Sequence, residues 1–431
     1  MPKTVAFCTL GCKVNQYDSQ AMLEQLMADG YESVHFSEKA DVYVINTCTV
    51  TGTGDQKSRQ MIRRAHAKNP EATVVVTGCL AQRSAELLSF EGVRLIIGTQ
   101  RRKEIVALLA QALQQETPLI AVAPLENPVF EELRITNSEG RTRAALKIQE
   151  GCDNHCSYCI IPSVRGAVRS RSLAEIAKET QRLADAGYAE IVLTGIHLAS
   201  YGKDFGDGTT LLDAIEKVHA VEGVRRIRLG SLEPVLITAD FVQKVSEMPK
   251  VCPQFMLALQ SGSDTVLARM QRRYTTAMYQ KAVMLLRQCF PGAAITTDVM
   301  TGFPGETEEE FLQTLFFVKE IGFSRIHVFP YSEREGTKAA AMPHAVPKAL
   351  REERASRLIA VGKELEAAYL AAWPGKTVEV LFEEPCEGGA QGYTAEYVRV
   401  TADGSAGKLQ RVHVHAVKGG MLMGKLVPPD A

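Results

Sequence analysis

Ten cysteines are the most chemically versatile residues of this 431-residue chain. Cys152, Cys156 and Cys159 stand in KIQEGCDNHCSYCIIP, a C-x3-C-x2-C spacing directly after a predicted strand. Thiolates this close in sequence can converge on one soft metal centre. Three are one short of the four that saturate a [4Fe–4S] cluster, which leaves one iron open to another ligand. Zinc is the competing reading: structural zinc favours C-x2-C pairs with a fourth ligand nearby, and His155 inside the loop could serve. A second set is dispersed. Cys12, Cys48 and Cys79 occupy TLGCKVN, NTCTV and TGCLA, each just past a predicted parallel strand and about one βα unit from the next. In a doubly wound sheet such positions share the edge where ligands bind, so three thiolates there can again hold a cluster with an open iron. The competing reading is three buried core thiols, against which all three fall beyond their strands rather than within apolar runs. Cys8, inside its strand, reads as core, and so do Cys252, Cys289 and Cys386.

The elements that must position these sets follow from hydrophobic periodicity. TVAFCT (4–9), DVYVIN (41–46) and ATVVVT (72–77) read as buried strands alternating with helices, the first helix from Asp18 to Asp29. Pro118, Pro124, Pro128 and Gly140 break that rhythm, so 116–140 reads as a linker. From 143 onward AALKI, EIVLT, RRIRL, QFMLAL, AITTDV and RIHVF recur at the spacing of βα units. Capping boxes at Ser172/Glu175 and Thr307/Glu310 start two of the helices. After Pro374-Gly375 short alternating runs between Gly-rich turns indicate a small β-barrel. The expected fold is α/β: an N-terminal doubly wound parallel-sheet domain (1–115), a linker (116–140), a central partial (β/α)6 barrel (141–346), a helical connector (347–373) and a C-terminal small all-β barrel (374–431).

Composition narrows the function classes. Apolar residues at 45% and charged residues at 23% permit large cores and argue against disorder. Lys and Arg number 49 against 50 Asp and Glu, which excludes attachment to nucleic acid by bulk charge but leaves local patches. One such patch is the helix face KSRQMIRRAHAK, Lys57 to Lys68, either an RNA contact or a solvated face. Arg165, Arg169 and Arg171, after the cysteine loop, could pair with a carboxylate or phosphates. No apolar run approaches the roughly 18 residues of a membrane span. The apolar stretch of MPKTVAFCTLGCK is too short for a signal peptide, so the expected compartment is the cytoplasm, where five disulfides are not expected.

The cysteine loop, with Tyr158 before its last Cys and a partial barrel behind it, resembles the radical S-adenosylmethionine superfamily. That resemblance implies a [4Fe–4S] cluster whose open iron chelates S-adenosylmethionine and whose electron cleaves it to a 5′-deoxyadenosyl radical. Turns at the barrel's strand ends would line the cofactor, with Tyr158, Gly195, Gln260, Ser261, Gly302, Phe329 and Tyr331 as its expected contacts. The two cysteine sets together resemble the methylthiotransferase family over nearly the whole chain. Matching stretches are RGAVRSRS (165–172), LALQSGSDTVLARMQRRY (257–274), TGFPGETEEEF (301–311) and HVFPYSEREGTKAAAM (327–342). The family implies a second [4Fe–4S] cluster on Cys12, Cys48 and Cys79 that delivers sulfur. It also implies a second S-adenosylmethionine as methyl donor and a C-terminal TRAM barrel that binds RNA. Residues 374–431, with six Lys and Arg against seven Asp and Glu, depart from the basic footprint of an RNA binder.

Within the family, TLGCKVNQYDSQ (9–20), LTGIHLASYG (193–202) and GSLEP (230–234) resemble the branch acting on N6-threonylcarbamoyladenosine at position 37 of tRNA. The isopentenyladenosine branch more often has Met where Val14 stands. The resemblance implies three partners: tRNA carrying that base, an electron donor such as flavodoxin or ferredoxin, and a sulfur source. An arginine near the cluster, Arg165 or Arg169, is expected to receive the threonylcarbamoyl carboxylate. The alternatives are action on N6-isopentenyladenosine or on a ribosomal-protein aspartate, and, from a different class, a two-cluster electron-transfer protein.

Overall fold

The computed structural model describes residues 2–126, 128–136 and 142–427. Its first unit is a six-stranded parallel sheet in the order β2-β1-β3-β4-β5-β6. The strands are β1 (Thr4–Thr9), β2 (Glu32–Ser33), β3 (Val42–Thr47), β4 (Thr73–Gly78), β5 (Val93–Ile97) and β6 (Leu119–Ala121). VYVINT and the VVVTG of β4 are buried, as strands covered on both faces must be. Helices α1 (Lys13–Ala28) and α4 (Ile105–Ala112) cover one face through Met22, Leu26, Leu108 and Leu109. Helices α2 (Gly52–Lys68) and α3 (Cys79–Ser84) cover the other through Ile62, Ala65, Leu80 and Ala81. The strand order reverses between β1 and β3, a switch point that opens a crevice at the strands' carboxyl ends.

Two local expectations differ from the structure. Helix α1 begins at Lys13, directly after Cys12; Val14, Asn15 and Tyr17 are buried, with Tyr17 donating to the Leu133 carbonyl at 2.7 Å and Asn15 accepting from Arg165. Within segment 116–140, read as a linker, Leu119–Ala121 form edge strand β6, and Leu133 and Ile135 enter the central core; residues 127 and 137–140, Gly140 among them, lie outside the described residues. An edge position tolerates the prolines that hid this strand.

The central unit contains β7 (Arg143–Lys147), β8 (Gln149–Glu150), α5 (Ile161–Arg165), β9 (Arg169–Ser170), α6 (Leu173–Asp185), β10 (Glu190–Thr194) and α7 (Leu211–His219). It continues with β11 (Arg226–Leu229), α8 (Ala239–Ser246), β12 (Gln254–Met256), α9 (Asp264–Arg269), α10 (Thr276–Cys289), β13 (Ala294–Thr301), α11 (Glu308–Ile321) and β14 (Arg325–Pro330). Six parallel strands form two triplets, β11-β10-β7 and β12-β13-β14, joined by bridges Ile227–Val251 and Leu232–Leu257. This is an open six-unit barrel. Strand β12 stops earlier than QFMLAL suggests, because Leu257 bonds to Thr296 while Ala258 turns to bond Leu232 across the seam. Thr307 and Glu310 form the expected capping box, and Ser172 caps α6.

Helix α12 (Lys348–Ala371) leads to a closed barrel ordered β15-β16-β17-β19-β18. Its strands are β15 (Thr377–Cys386), β16 (Gly389–Thr394), β17 (Arg399–Ala402), β18 (Leu409–Lys418) and β19 (Met421–Leu426), around Trp373, Val380, Phe382, Val400 and Val412. Cys386, expected in the core, is half-buried where β15 ends in a hairpin. The barrel docks at the beginnings of the central strands. Arg226 donates to the Glu379 carbonyl at 2.7 Å, Arg228 to the Ala395 carbonyl at 2.8 Å, and Arg143 pairs with Glu383 at 2.6 Å. Among the described residues no helix is long and apolar enough to cross a membrane.

Candidate active site

Cys12, Cys48 and Cys79 follow β1, β3 and β4 and meet at the switch-point crevice. Two glycines permit their approach. At Gly11, φ is +100°, and a Cβ would lie 3.0 Å from Cys48 Cβ and 3.1 Å from its Sγ. At Gly78, φ is +95°, and a Cβ would lie 2.4 Å from Asn46 Oδ1 and 2.5 Å from the Thr47 carbonyl oxygen. Both conformations favour glycine. Burial pushes the Cys79 thiol up to about 11 against the opposing pull of Arg165, and it raises Cys48 as well. Nε–H of Arg165 donates to Cys79 Sγ at 3.2 Å, although Arg165 belongs to α5 of the other unit.

The second set lies on the loop after β8. The Asn154 N–H donates to Cys152 Sγ at 3.4 Å and Arg272 Nη1 to Cys156 Sγ at 3.2 Å. Burial pushes Cys152 up to about 11 and Cys159 to about 12, with the neighbouring thiols adding to both shifts. Glu233 ties the surroundings together, 3.0 Å from His197 Nε2 and 2.6 Å from Arg272 Nη2. Burial alone would raise this carboxyl, yet His197, Arg272 and Asn154 hold it at about 2. Glu233 and Arg272 escaped the sequence reading as site residues, although GSLEP and ARMQRRY contain them.

One cavity of about 980 Å³ joins the sets. It is lined by Cys12, Cys48 and Cys79 from the first unit and by Tyr158, Cys159, Gln260, Phe329 and Tyr331 from the second. Cys152 and Cys156 are not among its lining residues. Gln260 has φ +66°, and its buried Oε1 has no hydrogen-bond partner, an acceptor suited to a bound ligand. Three expected cofactor contacts, Ser261, Gly195 and Gly302, are not among the residues lining this cavity. The Ser261 hydroxyl is buried against Thr314 Oγ1 at 3.1 Å, Gly195 packs on Gln149, and Gly302 packs on the Arg351 side chain.

The arginines after the cysteine loop also differ from expectation. Arg165, Arg169 and Arg171 are 0%, 3% and 1% exposed, and none lines the cavity. Arg165 donates to Glu150 at 2.6 Å, to Asp18 at 3.3 Å and to Asn15. Arg171 pairs with Glu132 at 3.0 Å, and Arg169 donates to the Arg165 carbonyl at 2.6 Å. Arg102 bonds Asp18 and Glu131, while Lys147 Nζ reaches Asp18 at 2.5 Å and Glu150 at 3.0 Å. A buried ionic network therefore clamps the two units together beside Cys79. Lys348, Arg351 and His327 are the basic side chains that do line the cavity.

The donor chemistry fits iron–sulfur clusters. Each set offers three thiols, and among the described residues no three Cys, His, Asp or Glu side chains converge tightly enough for a single metal ion. Thiolates of a cluster bind separate irons and stand farther apart than ligands of one ion.

Residues 4–98 match the Uncharacterized protein family UPF0004, and residues 146–318 match the Radical SAM superfamily. The Threonylcarbamoyladenosine tRNA methylthiotransferase MtaB of Bacillus subtilis is 44% identical, covering 95% of this chain and 93% of its own length. The chain belongs to the radical S-adenosylmethionine methylthiotransferase family. It is an enzyme of that family, whose chemistry uses S-adenosylmethionine and two [4Fe–4S] clusters. This methylthiotransferase is also 37% identical to the Aquifex aeolicus protein of the same name, over 95% of the chain and 99% of the relative. The tRNA-2-methylthio-N(6)-dimethylallyladenosine synthase of Moorella thermoacetica is 36% identical over 99% of the chain and 98% of the relative. In fold, it resembles the radical S-adenosylmethionine methyltransferase TsrM of Kitasatospora setae, with TM-score 0.59 and 15% identity over 79% and 77% of the two chains.

Proposed function

We propose that this enzyme converts N6-threonylcarbamoyladenosine at position 37 of tRNA to its 2-methylthio derivative. The observation that carries this reading is the single cavity lined by cysteines of both units, where a sulfur source and a radical source can face one substrate carbon. Cys152, Cys156 and Cys159 would hold one [4Fe–4S] cluster, and Cys12, Cys48 and Cys79 the other. Bound there, the clusters and S-adenosylmethionine supply the radical, the sulfur and the methyl group. The chain's own side chains do the rest. Gln260 offers its free acceptor to a ligand, and Phe329 and Tyr331 give the cavity an aromatic wall. Arg272 and Arg165 each donate a hydrogen bond to one cysteine of their set, holding its sulfur in place.

The cavity is lined by both signs, Asp298, Glu333 and Glu352 beside Lys348 and Arg351, and the two cations are the groups that could receive the carboxylate of the threonylcarbamoyl substrate. Lys348 and Arg351 lie one turn apart at the start of α12, where the helix dipole also attracts an anion. Arg351 is held in place by donating to the Val346 and Tyr331 carbonyls at 2.7 and 2.8 Å, and Lys348 lies 3.7 Å from Glu352; an apolar isopentenyl group would make no use of either charge. The higher identity to the Bacillus subtilis MtaB points the same way. A flavodoxin or ferredoxin as electron donor, a separate sulfur donor and a cytoplasmic location complete the proposal.

Mass spectrometry of tRNA nucleosides from a deletion strain tests it. The methylthiolated threonylcarbamoyl nucleoside should disappear. Its persistence, with loss of the methylthiolated isopentenyl nucleoside instead, would overturn the substrate assignment.

A further inference from the structure

Helix α2 begins at the cavity, where Thr51 and Thr53 line the wall and the Gly52 N–H donates to Ser332 Oγ at 3.2 Å. From Gln56 to Lys68 it contains Lys57, Arg59, Arg63, Arg64 and Lys68 and no Asp or Glu. Ser58, Ile62 and Ala65 face the sheet, while Lys57, Arg63, Arg64 and Lys68 are exposed. Among the described residues none of the five cations has an ion pair; the helix's pairs are Asp55 with Arg334 and His66 with Glu91. Lys57, Arg64 and Lys68 fall in one stripe at helical periodicity, spanning about 16 Å. Arg59 and Arg63 form a second row on the other flank, with the neutral Gln56 and Gln60 on the crest between.

A merely solvated helix face would mix its charges. Here Arg59–Arg63 and Arg64–Lys68 are like-charge i,i+4 neighbours, which disfavour the isolated helix. Such an arrangement suits a polyanion that pairs with the cations along its length. The C-terminal barrel offers no competing surface near the cavity. It carries six Lys and Arg against seven Asp and Glu, and it docks at the strands' beginnings, whereas the cavity opens at their ends. Strand β13 alone separates those ends by about 23 Å.

We propose that the basic face of α2 is the docking surface for the tRNA phosphate backbone, seating the stem beside the modified base as that base enters the cavity. This rests on the reading that tRNA is the substrate. The stripe of three cations is long enough to engage about three successive phosphates.

The test uses the full-length, cluster-loaded enzyme and a Lys57→Gln/Arg64→Gln/Lys68→Gln variant. Binding of tRNA purified from a deletion strain is measured by fluorescence anisotropy between 50 and 300 mM salt, about the range where counterion release is read. The plot of log affinity against log salt should become shallower by about 2 in the variant, since each lost phosphate contact removes roughly 0.7–0.9. A Lys57→Arg/Lys68→Arg variant should keep the wild-type slope, and iron content and RNA-free cleavage of S-adenosylmethionine should not change. Wild-type slope and affinity in the triple variant would overturn the proposal. Slower reduction by flavodoxin in that variant, with tRNA binding unaltered, would overturn it in favour of an acidic protein partner. If wild-type enzyme fails to bind tRNA even at low salt, the tRNA reading itself falls.

Discussion

Removing Asp18 should harm this enzyme more than removing the lysine it bonds. The interdomain network contains four buried cations, Arg102, Lys147, Arg165 and Arg169, against three buried carboxylates, Asp18, Glu131 and Glu150. Lys147→Gln leaves three of each sign, whereas Asp18→Asn leaves four cations facing two anions. Stranding a buried charge costs about 3–5 kcal/mol. We expect that full cost for Asp18→Asn and about 1–3 kcal/mol, the loss of charged hydrogen bonds, for Lys147→Gln. At about 2 °C per kcal/mol for a unit this large, the melting temperature should fall by about 6–10 °C and 2–6 °C respectively. The double variant should melt no lower than Asp18→Asn alone, because it removes one surplus cation. Anaerobic differential scanning fluorimetry, with iron content checked for each protein, measures this. A Lys147→Gln protein melting lower than Asp18→Asn would refute the charge count. Acid probes the same network. Burial alone would raise Glu150, but Arg165, Lys147 and Arg102 hold it well below the usual carboxylate range. Its stabilisation is therefore complete above the unfolded value of about 4.3 and is lost as pH falls through the lower folded one.

The remaining expectations concern the cysteines and the turns behind them. Reconstituted enzyme should hold about eight irons per chain, from two four-iron clusters. Cys156→Ala should abolish cleavage of S-adenosylmethionine, while Cys48→Ala should keep cleavage and abolish sulfur insertion; equal loss of cleavage in both would contradict the division of labour. Gly78→Ala forces a side chain against Asn46 and the Thr47 carbonyl at positive φ. It should cost more than about 1–3 kcal/mol of stability and roughly half the iron, as read by thermal melting and iron assay. Ser261→Ala removes a buried hydroxyl bonded to Thr314, so it should cost about 1 kcal/mol and leave KM for S-adenosylmethionine unchanged. A rise in that KM would return Ser261 to the cavity wall.

Much of the architecture was legible because it is written locally. Continuous apolar runs such as VYVINT mark buried parallel strands, and Cys12, Cys48 and Cys79 stand just past three of them, so the sheet alone brings them to one edge. What stayed hidden depends on distant partners. Arg165 reads as a free cation after a cysteine loop, yet it bonds Cys79, 86 positions away, and Asn15, 150 positions away. Glu233 and Arg272 sit in separate turns, and nothing local signals that they meet beside Cys156. Strand β6 was masked by flanking prolines that matter little at a sheet edge. Lys348 and Arg351, on a helix read as a connector, reach the cavity only because α12 packs across β13 and β14.

The joint between the central unit and the C-terminal barrel is made largely by arginines grasping peptide carbonyls. Arg226 and Arg228 reach the main-chain oxygens of Glu379, Tyr393, Thr394 and Ala395. A carbonyl is the same whatever side chain its residue bears, so this part of the socket reads the barrel's backbone, while Arg143 on Glu383 and Arg228 on the Tyr397 ring add contacts that do depend on sequence. Provided Glu379, Glu383, Tyr393 and Tyr397 are kept, the barrel's outer surface is thereby free to drift, or to be exchanged for that of another barrel of the same trace, without redesigning its seat. Because the seat lies at the strands' beginnings, such exchanges would leave the chemistry at their far ends undisturbed. Nature or an engineer can thus alter what this module touches while the catalytic half stays fixed.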